Sequence, residues 1–225
     1  RTAIPARGYE PVLTMAAKQN AILAVNGDFS FGRIRGPIVR DGMFVRDKSF
    51  GDVLVLYNNG EMKTFAADEF AVSEEAAKGI WNVWSFGPAL LDADGGRKTS
   101  FDTTVAEENP RTAIGYYEPG HYCIVIVNGR GTEGSRGCTM SQLSALFEEL
   151  GCVAAYNLDG GRSSVMAWDC GSSLVNSAAD DPCAISYTYQ RSEAEYAESC
   201  AYYPACDDRP CDRRRGGSHN RYVYK

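Results

Sequence analysis

The sequence predicts an α+β fold: a mixed, largely antiparallel β-sheet core with packed helices. Two observations carry that prediction. Apolar runs of strand length recur with turn dipeptides between them, as in "IVRDGMFV" and "VLVLYNNGEMKTF", where Asp41-Gly42 and Asn59-Gly60 read as hairpin turns. Against these stands one segment of clear helical period, "TMSQLSALFEELG". Its apolar stripe needs a sheet to pack on.

Along the chain, "EPVLTMAAKQN" has helical spacing and gives way to "AILAVN", an apolar run of strand length. "GDFSFGRIRGP" is loop-like in its glycines and aromatics, and the two hairpins follow it. "SEEAAKGIWNVW" starts as a helix, "SFGPALLDADGGR" reads as a strand pair around a turn, and "TAIGYYEPGHYCIVIVN" repeats the hairpin pattern. The main helix is expected from about residue 139 to 150. Thr139 and Gln142 have capping-box spacing, Leu143, Leu146, Phe147 and Leu150 fall at i, i+3, i+4 and i+7, and Gly151 supplies the stop. "CVAAYNL" then reads as a strand with Asp159 at its end, and "SSVMAW" as the start of another.

The 225 residues, 44% apolar and 23% charged, are ordinary globular usage. Residues 1–193 are expected to form one domain. From about Ala194 the composition turns to Cys, Tyr, Pro and charge, so 194–225 are expected to be a Cys-rich tail packed on the domain. A net charge of −6 disfavours nucleic acid as a partner, and no apolar run approaches the roughly 20 residues of a membrane span. Eight cysteines without a CxxC pair, and only two histidines, argue against zinc sites. They point to disulfides in an oxidising compartment, hence a secreted or cell-envelope location, with Cys200, Cys206 and Cys211 expected to be bridged. Cys123 and Cys152, inside apolar runs, have the plainer reading of small buried residues. Connectivity and oligomeric state are left open.

Four strand-end segments combine turn residues with amides, carboxylates or guanidiniums. "VNGDFS" holds Asn26, Gly27 and Asp28; "NPRTAIG" holds Asn109, Arg111 and Thr112; "VNGRGTEGSRGCT" holds Asn128, Arg130 and Thr139; "NLDGGRSS" holds Asn157, Asp159, Gly160, Gly161, Arg162, Ser163 and Ser164. Each alone has a bland reading as a turn, a buried ion pair or a strand hydroxyl. Strand ends are nonetheless where rigid scaffolds present functional groups. A Ser-His-Asp triad is poorly supplied, because His121 sits beside a Pro-Gly turn and His219 in the tail. "LDADGGRKTSFD" has glycine at a calcium-ligand position and reads better as a turn, so no metal and no cofactor are expected.

The series "VNGDF", "GP", "NPRTAIG", "VNGR", "GCTMSQLSALFEELG" and "NLDGGRSSVM" resembles the phosphodiester glycosidase family from about residue 15 to residue 177. The chain departs from the family's usual pattern at Arg162, where a third glycine is common, and at Ser30, where a bulky residue is common. The family's later arginine segment is matched only loosely around Arg191. The resemblance implies a phosphodiester-glycosidase-like fold and hydrolysis of a sugar linked through its anomeric carbon to a phosphodiester. It implies Asp159 and Asp28 as catalytic carboxylates, with Arg111 and Arg130 holding the phosphate. Asn26, Asn157 and Ser163 would orient sugar hydroxyls, and Gly27, Asn128, Thr139, Gly160, Gly161 and Ser164 would complete the substrate-binding set. The expected partner is a carbohydrate phosphodiester substrate. Two alternatives stay open: a secreted non-catalytic glycan-binding domain using the same pocket, and an enzyme of cell-envelope polysaccharide phosphodiesters.

Overall fold

A computed structural model describes Thr2, residues 10–29, 36–48, 50–169 and 173–176, and the backbone of Arg221–Tyr224. Three sheets, three α-helices and two short 3-10 turns make up the described fold. Helix α1 (Val12–Gln19) leads into β1 (Leu23–Val25), followed by β2 (Ile38–Arg40), β3 (Met43–Arg46), β4 (Val53–Tyr57) and β5 (Met62–Phe65). Helix α2 (Val72–Ala76) precedes β6 (Ile80–Trp84), and the long hairpin is β7 (Arg111–Glu118) and β8 (His121–Val127). Helix α3 (Met140–Glu149) precedes β9 (Ala154–Asn157), β10 (Met166–Trp168) and β11 (Ser173–Leu174); β12 is Arg221–Tyr224. The strand orders are β1-β10-β11, β12-β8-β7-β9 and β3-β2-β6-β4-β5, and the pairings between described strands are antiparallel. This is the largely antiparallel sheet system with packed helices that the sequence predicts.

Period-two alternation decides what each sheet face meets. On the long hairpin, Ile114, Tyr116, Ile124 and Ile126 face Leu54, Leu56, Met62 and Trp84 of the five-stranded sheet, with Val25 and Met166 closing the same core. The alternate residues Ala113, Cys123, Val125 and Val127 face Met140, Leu143, Leu146 and Phe147 of α3. The four-stranded sheet is thus covered on both faces, which is why "CIVIV" reads as an unbroken apolar run. Thr139 caps α3 as expected: its side chain accepts from Gln142 N, and the Gln142 side chain accepts from Thr139 N. No helix among the described residues is long and apolar enough to cross a membrane.

One sequence expectation needs correction. The strand pair expected in "SFGPALLDADGGR" is a tight turn with one Leu91–Arg97 bridge, because Ala89 and Leu90 pair instead with Tyr156 and Ala155 of β9. The Asp159-Gly160 turn signal does not close a hairpin. β9 belongs to the four-stranded sheet and β10 to the three-stranded one, so the segment crosses between sheets.

Helix α2 is pinned by a charged cluster, in which the Tyr57 hydroxyl donates to Glu75 Oε2 and Lys78 Nζ lies 2.7 Å from Glu75 Oε1. Burial alone would raise the pKa of Glu75. The bonds from Lys78 and Tyr57 outweigh it and hold the carboxyl below its ordinary 4.5. A lowered folded-state pKa adds stability above the unfolded value, and that stability is lost as pH falls through the folded value. In urea titrations, wild type should therefore exceed Glu75→Gln at neutral pH, with the gap closing below about pH 4.5. A gap unchanged down to pH 3 would show that the carboxylate contributes nothing.

Candidate active site

The crossing segment 158–164 is fixed by three separate strand ends. From β1, the Gly27 carbonyl accepts from Asp159 N at 3.0 Å, and Asn26 Nδ2 donates to the Asp159 carbonyl at 2.7 Å. From β7, the Thr112 carbonyl accepts from Leu158 N and the Pro110 carbonyl from Gly161 N. At the end of β9, Asn157 Nδ2 donates to the Gly87 carbonyl at 2.8 Å. Asn26 is the hub, since its Oδ1 also accepts from the Thr112 hydroxyl and Val165 N. It is fully buried, and its side chain joins β1 to Thr112 of β7, to Asp159 and to Val165.

Asp159 itself is half-buried, and its Oδ1 accepts from Gly160 N at 2.9 Å. The two glycines serve packing. A Cβ on Gly160 would lie 2.7 Å from the Pro110 carbonyl, while Gly161 has φ +64 and lies against the Arg130 guanidinium, its Cβ position 2.9 Å from Nη2. Their N–H groups are bonded within the protein, to Asp159 Oδ1 and the Pro110 carbonyl, and not held out toward a ligand. Arg130 is exposed, has a left-handed backbone at φ 55, and donates to Asn109 Oδ1. Arg162 is exposed in the same short turn. Phe29, two residues after Gly27, is also left-handed at φ 54. Bulky residues in that region are uncommon and gather at sites where the surroundings enforce them.

Asp28 and Arg111 lie in the same walls but behind the surface. Both Asp28 oxygens accept from Arg40 Nη2, at 2.8 and 2.9 Å, and Oδ2 also accepts from Ser85 N. The pair is buried, with side chains 0% and 1% exposed. Arg40 in turn donates to the Val39 and Val83 carbonyls. Arg111 is 2% exposed and donates to the carbonyls of Cys138 and Glu107, tying two loops together. Burial lowers its pKa, with Cys138 offsetting part of that shift.

The remaining expected residues are engaged in bonds or buried within the protein. Asn128 donates to Glu133 and accepts from Asn176, and Thr139 is engaged in its helix cap. Ser163 and Ser164 lie in a 3-10 turn and its end, not in a strand. Asn157 Oδ1 and Ser164 Oγ are buried polar atoms with no hydrogen-bond partner among the described residues. Such atoms are costly inside a protein. A cavity lined by Val25, Asn26, Gly27, Trp84 and Leu158, among others, lies beneath the Asn26 hub.

Sequence reasoning missed Arg40 and Asn176. Arg40 stands in a three-residue strand beside a turn, too short for alternation to reveal an inward charge. Asn176 binds Met166 N and the Ser164 carbonyl from a polar stretch that carries no motif. Among the described residues, no three His, Cys, Asp or Glu side chains group as metal ligands do. Cys170, Cys183, Cys200, Cys206, Cys211, Ser30, Arg191 and His219 lie outside the described residues.

The phosphodiester glycosidase family matches residues 19–188. An uncharacterized protein derived from the SPbeta prophage of Bacillus subtilis strain 168, YomE, is 31% identical over 206 residues, which cover 84% of this chain and 31% of that relative. The chain therefore spans about a third of the length of that relative. The fold is similar to the catalytic domain of zebrafish N-acetylglucosamine-1-phosphodiester alpha-N-acetylglucosaminidase, auto-inhibited by its pro-peptide. That comparison gives a TM-score of 0.64 at 22% identity, over 80% of this chain and 66% of that one. It is also similar to a hypothetical protein from Synechocystis, with a TM-score of 0.54 at 16% identity, over 81% of this chain and 54% of that one. With the family pattern running through every strand end that builds the site, the chain belongs to the phosphodiester glycosidase family.

Proposed function

We propose that the protein hydrolyses the bond between a sugar's anomeric carbon and a phosphodiester, releasing free sugar and a phosphomonoester. The observation that supports this best is one half-buried carboxylate, Asp159, in a segment fixed from three strand ends whose Gly161 lies against the exposed Arg130. A phosphomonoester leaving group has a conjugate acid of pKa about 6. An alkoxide approaches the roughly 15.7 of water. Departure therefore needs little help from a general acid. It needs negative charge near the anomeric carbon and donors for the phosphate.

In this reading Asp159 supplies the charge, and Arg130 with Arg162 supplies guanidinium donors suited to phosphate oxygens. Asn157 Oδ1 and Ser164 Oγ, unpaired among the described residues, are buried polar atoms flanking the Asp159 loop. Asp28 acts at one remove. With Arg40 it holds the segment whose Gly27 carbonyl receives the Asp159 N–H. Secretion to an oxidising compartment is part of the same proposal, because eight cysteines without a CxxC pair read as disulfides.

Turnover of a panel of sugar-1-phosphodiesters in oxygen-labelled water tests the reaction. Cleavage at the anomeric carbon puts the label in the sugar, sampled before anomeric exchange, and none in the phosphomonoester. Label in the phosphate product would mean attack at phosphorus and would overturn the proposal. Binding across the panel with no turnover would favour the non-catalytic glycan-binding reading.

A further inference from the structure

We propose that Cys123 and Cys152 form a disulfide that ties β8 to the turn between α3 and β9. Their sulfurs lie 3.5 Å apart and both residues are buried, 0% and 3% exposed. A disulfide bond is about 2.05 Å long. The remaining gap is short enough for small side-chain rotations to close.

The third participant is Gly115 on β7, directly opposite Cys123 in the hairpin register. A Cβ at Gly115 would meet Cys152 Sγ at 2.6 Å, Cys123 Sγ at 2.8 Å and Phe147 Cε1 at 2.7 Å. Glycine weakens a strand interior and is kept there where something approaches closely. Gly115 is not in the left-handed region, so its backbone does not demand glycine. What occupies the space over it is the pair of sulfurs and the edge of the Phe147 ring. Cys138 lies in the same apolar cluster but packs toward Arg111, whose Nε donates to its carbonyl.

The bridge would close a loop between residues 29 apart in sequence, and that loop carries Asn128, Arg130, Thr139 and α3. Constraining a loop of this length narrows the unfolded ensemble. It would also restrain, from its far end, the segment that presents Arg130.

Formation is a thiol–disulfide exchange with a low-molecular-weight disulfide as oxidant. One cysteine thiolate attacks the oxidant and expels one thiolate; the second cysteine thiolate attacks the mixed disulfide and expels the other. Two protein thiols are oxidised to one disulfide. One oxidant disulfide is reduced to two thiols, which take up the two protons released.

The test uses the full chain equilibrated in a buffer of oxidised and reduced glutathione, then unfolded in urea containing N-ethylmaleimide and mapped without reduction by mass spectrometry. Trypsin releases Cys123 apart from Cys138 and Cys152, and cleavage after Glu148 or Glu149 separates the last two. At least about half of Cys123 should appear linked to Cys152 under an oxidising poise of the kind found outside the cytosol. Alkylation of both thiols under that poise, or linkage of Cys123 to any other cysteine, would overturn the proposal.

Discussion

Replacing Asp159 by asparagine is expected to lower the turnover rate by at least about a hundredfold, the lower scale for losing a positioned catalytic group. The amide keeps nearly the same shape, and its oxygen can still accept from Gly160 N, as Oδ1 does at 2.9 Å. The main-chain bonds from Asn26 Nδ2 and to the Gly27 carbonyl do not involve the side chain at all. The loop should therefore keep its conformation while losing its negative charge. Only interactions stronger in the transition state than in the ground state accelerate chemistry, so kcat should fall with substrate affinity largely retained. Near-normal turnover in Asp159→Asn would remove Asp159 from the mechanism. Unchanged stability alongside the lost turnover would separate chemistry from misfolding.

Replacing Arg40 by methionine is expected to destabilise the fold by about 3–5 kcal/mol, because it strands Asp28 as an unpaired buried charge. In a chain of this size that is roughly a 6–20 °C fall in Tm. The Val39 and Val83 carbonyls that Arg40 now satisfies would also lose their donors. Asp28→Asn combined with Arg40→Met should recover part of the loss, since removing both charges is far less costly than removing one. Thermal unfolding of the single and double variants measures this. A single-variant loss under about 1 kcal/mol would mean that the pair is not the tie between the "VNGDF" segment and the β2–β6 strands that it is taken to be.

The carboxylates and arginines that look alike in the sequence divide in the fold into two at the surface and two behind it. Asp28 and Asp159 each follow a strand end and a turn residue, and nothing local distinguishes them. Asp28 meets Arg40 from twelve residues away and is sealed. Asp159 ends a crossing between sheets and stays half-open. Arg111 and Arg130 differ in the same manner. The first is drawn inward by the carbonyls of residues 107 and 138, and the second is left exposed against Gly161.

Features set by neighbours a few residues apart are legible in the sequence. The hairpins at Asp41-Gly42 and Asn59-Gly60 form because those dipeptides take the positive φ their turns need, and Asp41, Gly42 and Gly60 do so. The α3 cap, stripe and stop are likewise local, and they came out as read. Which polar residues share a loop was legible too, since the motifs mark the strand ends. Pairing across distance depends on tertiary packing. The dipeptide Asp159-Gly160 has hairpin chemistry, yet β9 finds its partner in β7 and β10 in β1, because burying both sheets' apolar faces outweighs one local turn preference. Whether a carboxylate faces solvent or a buried guanidinium depends on that same long-range packing, which no window of neighbouring residues contains.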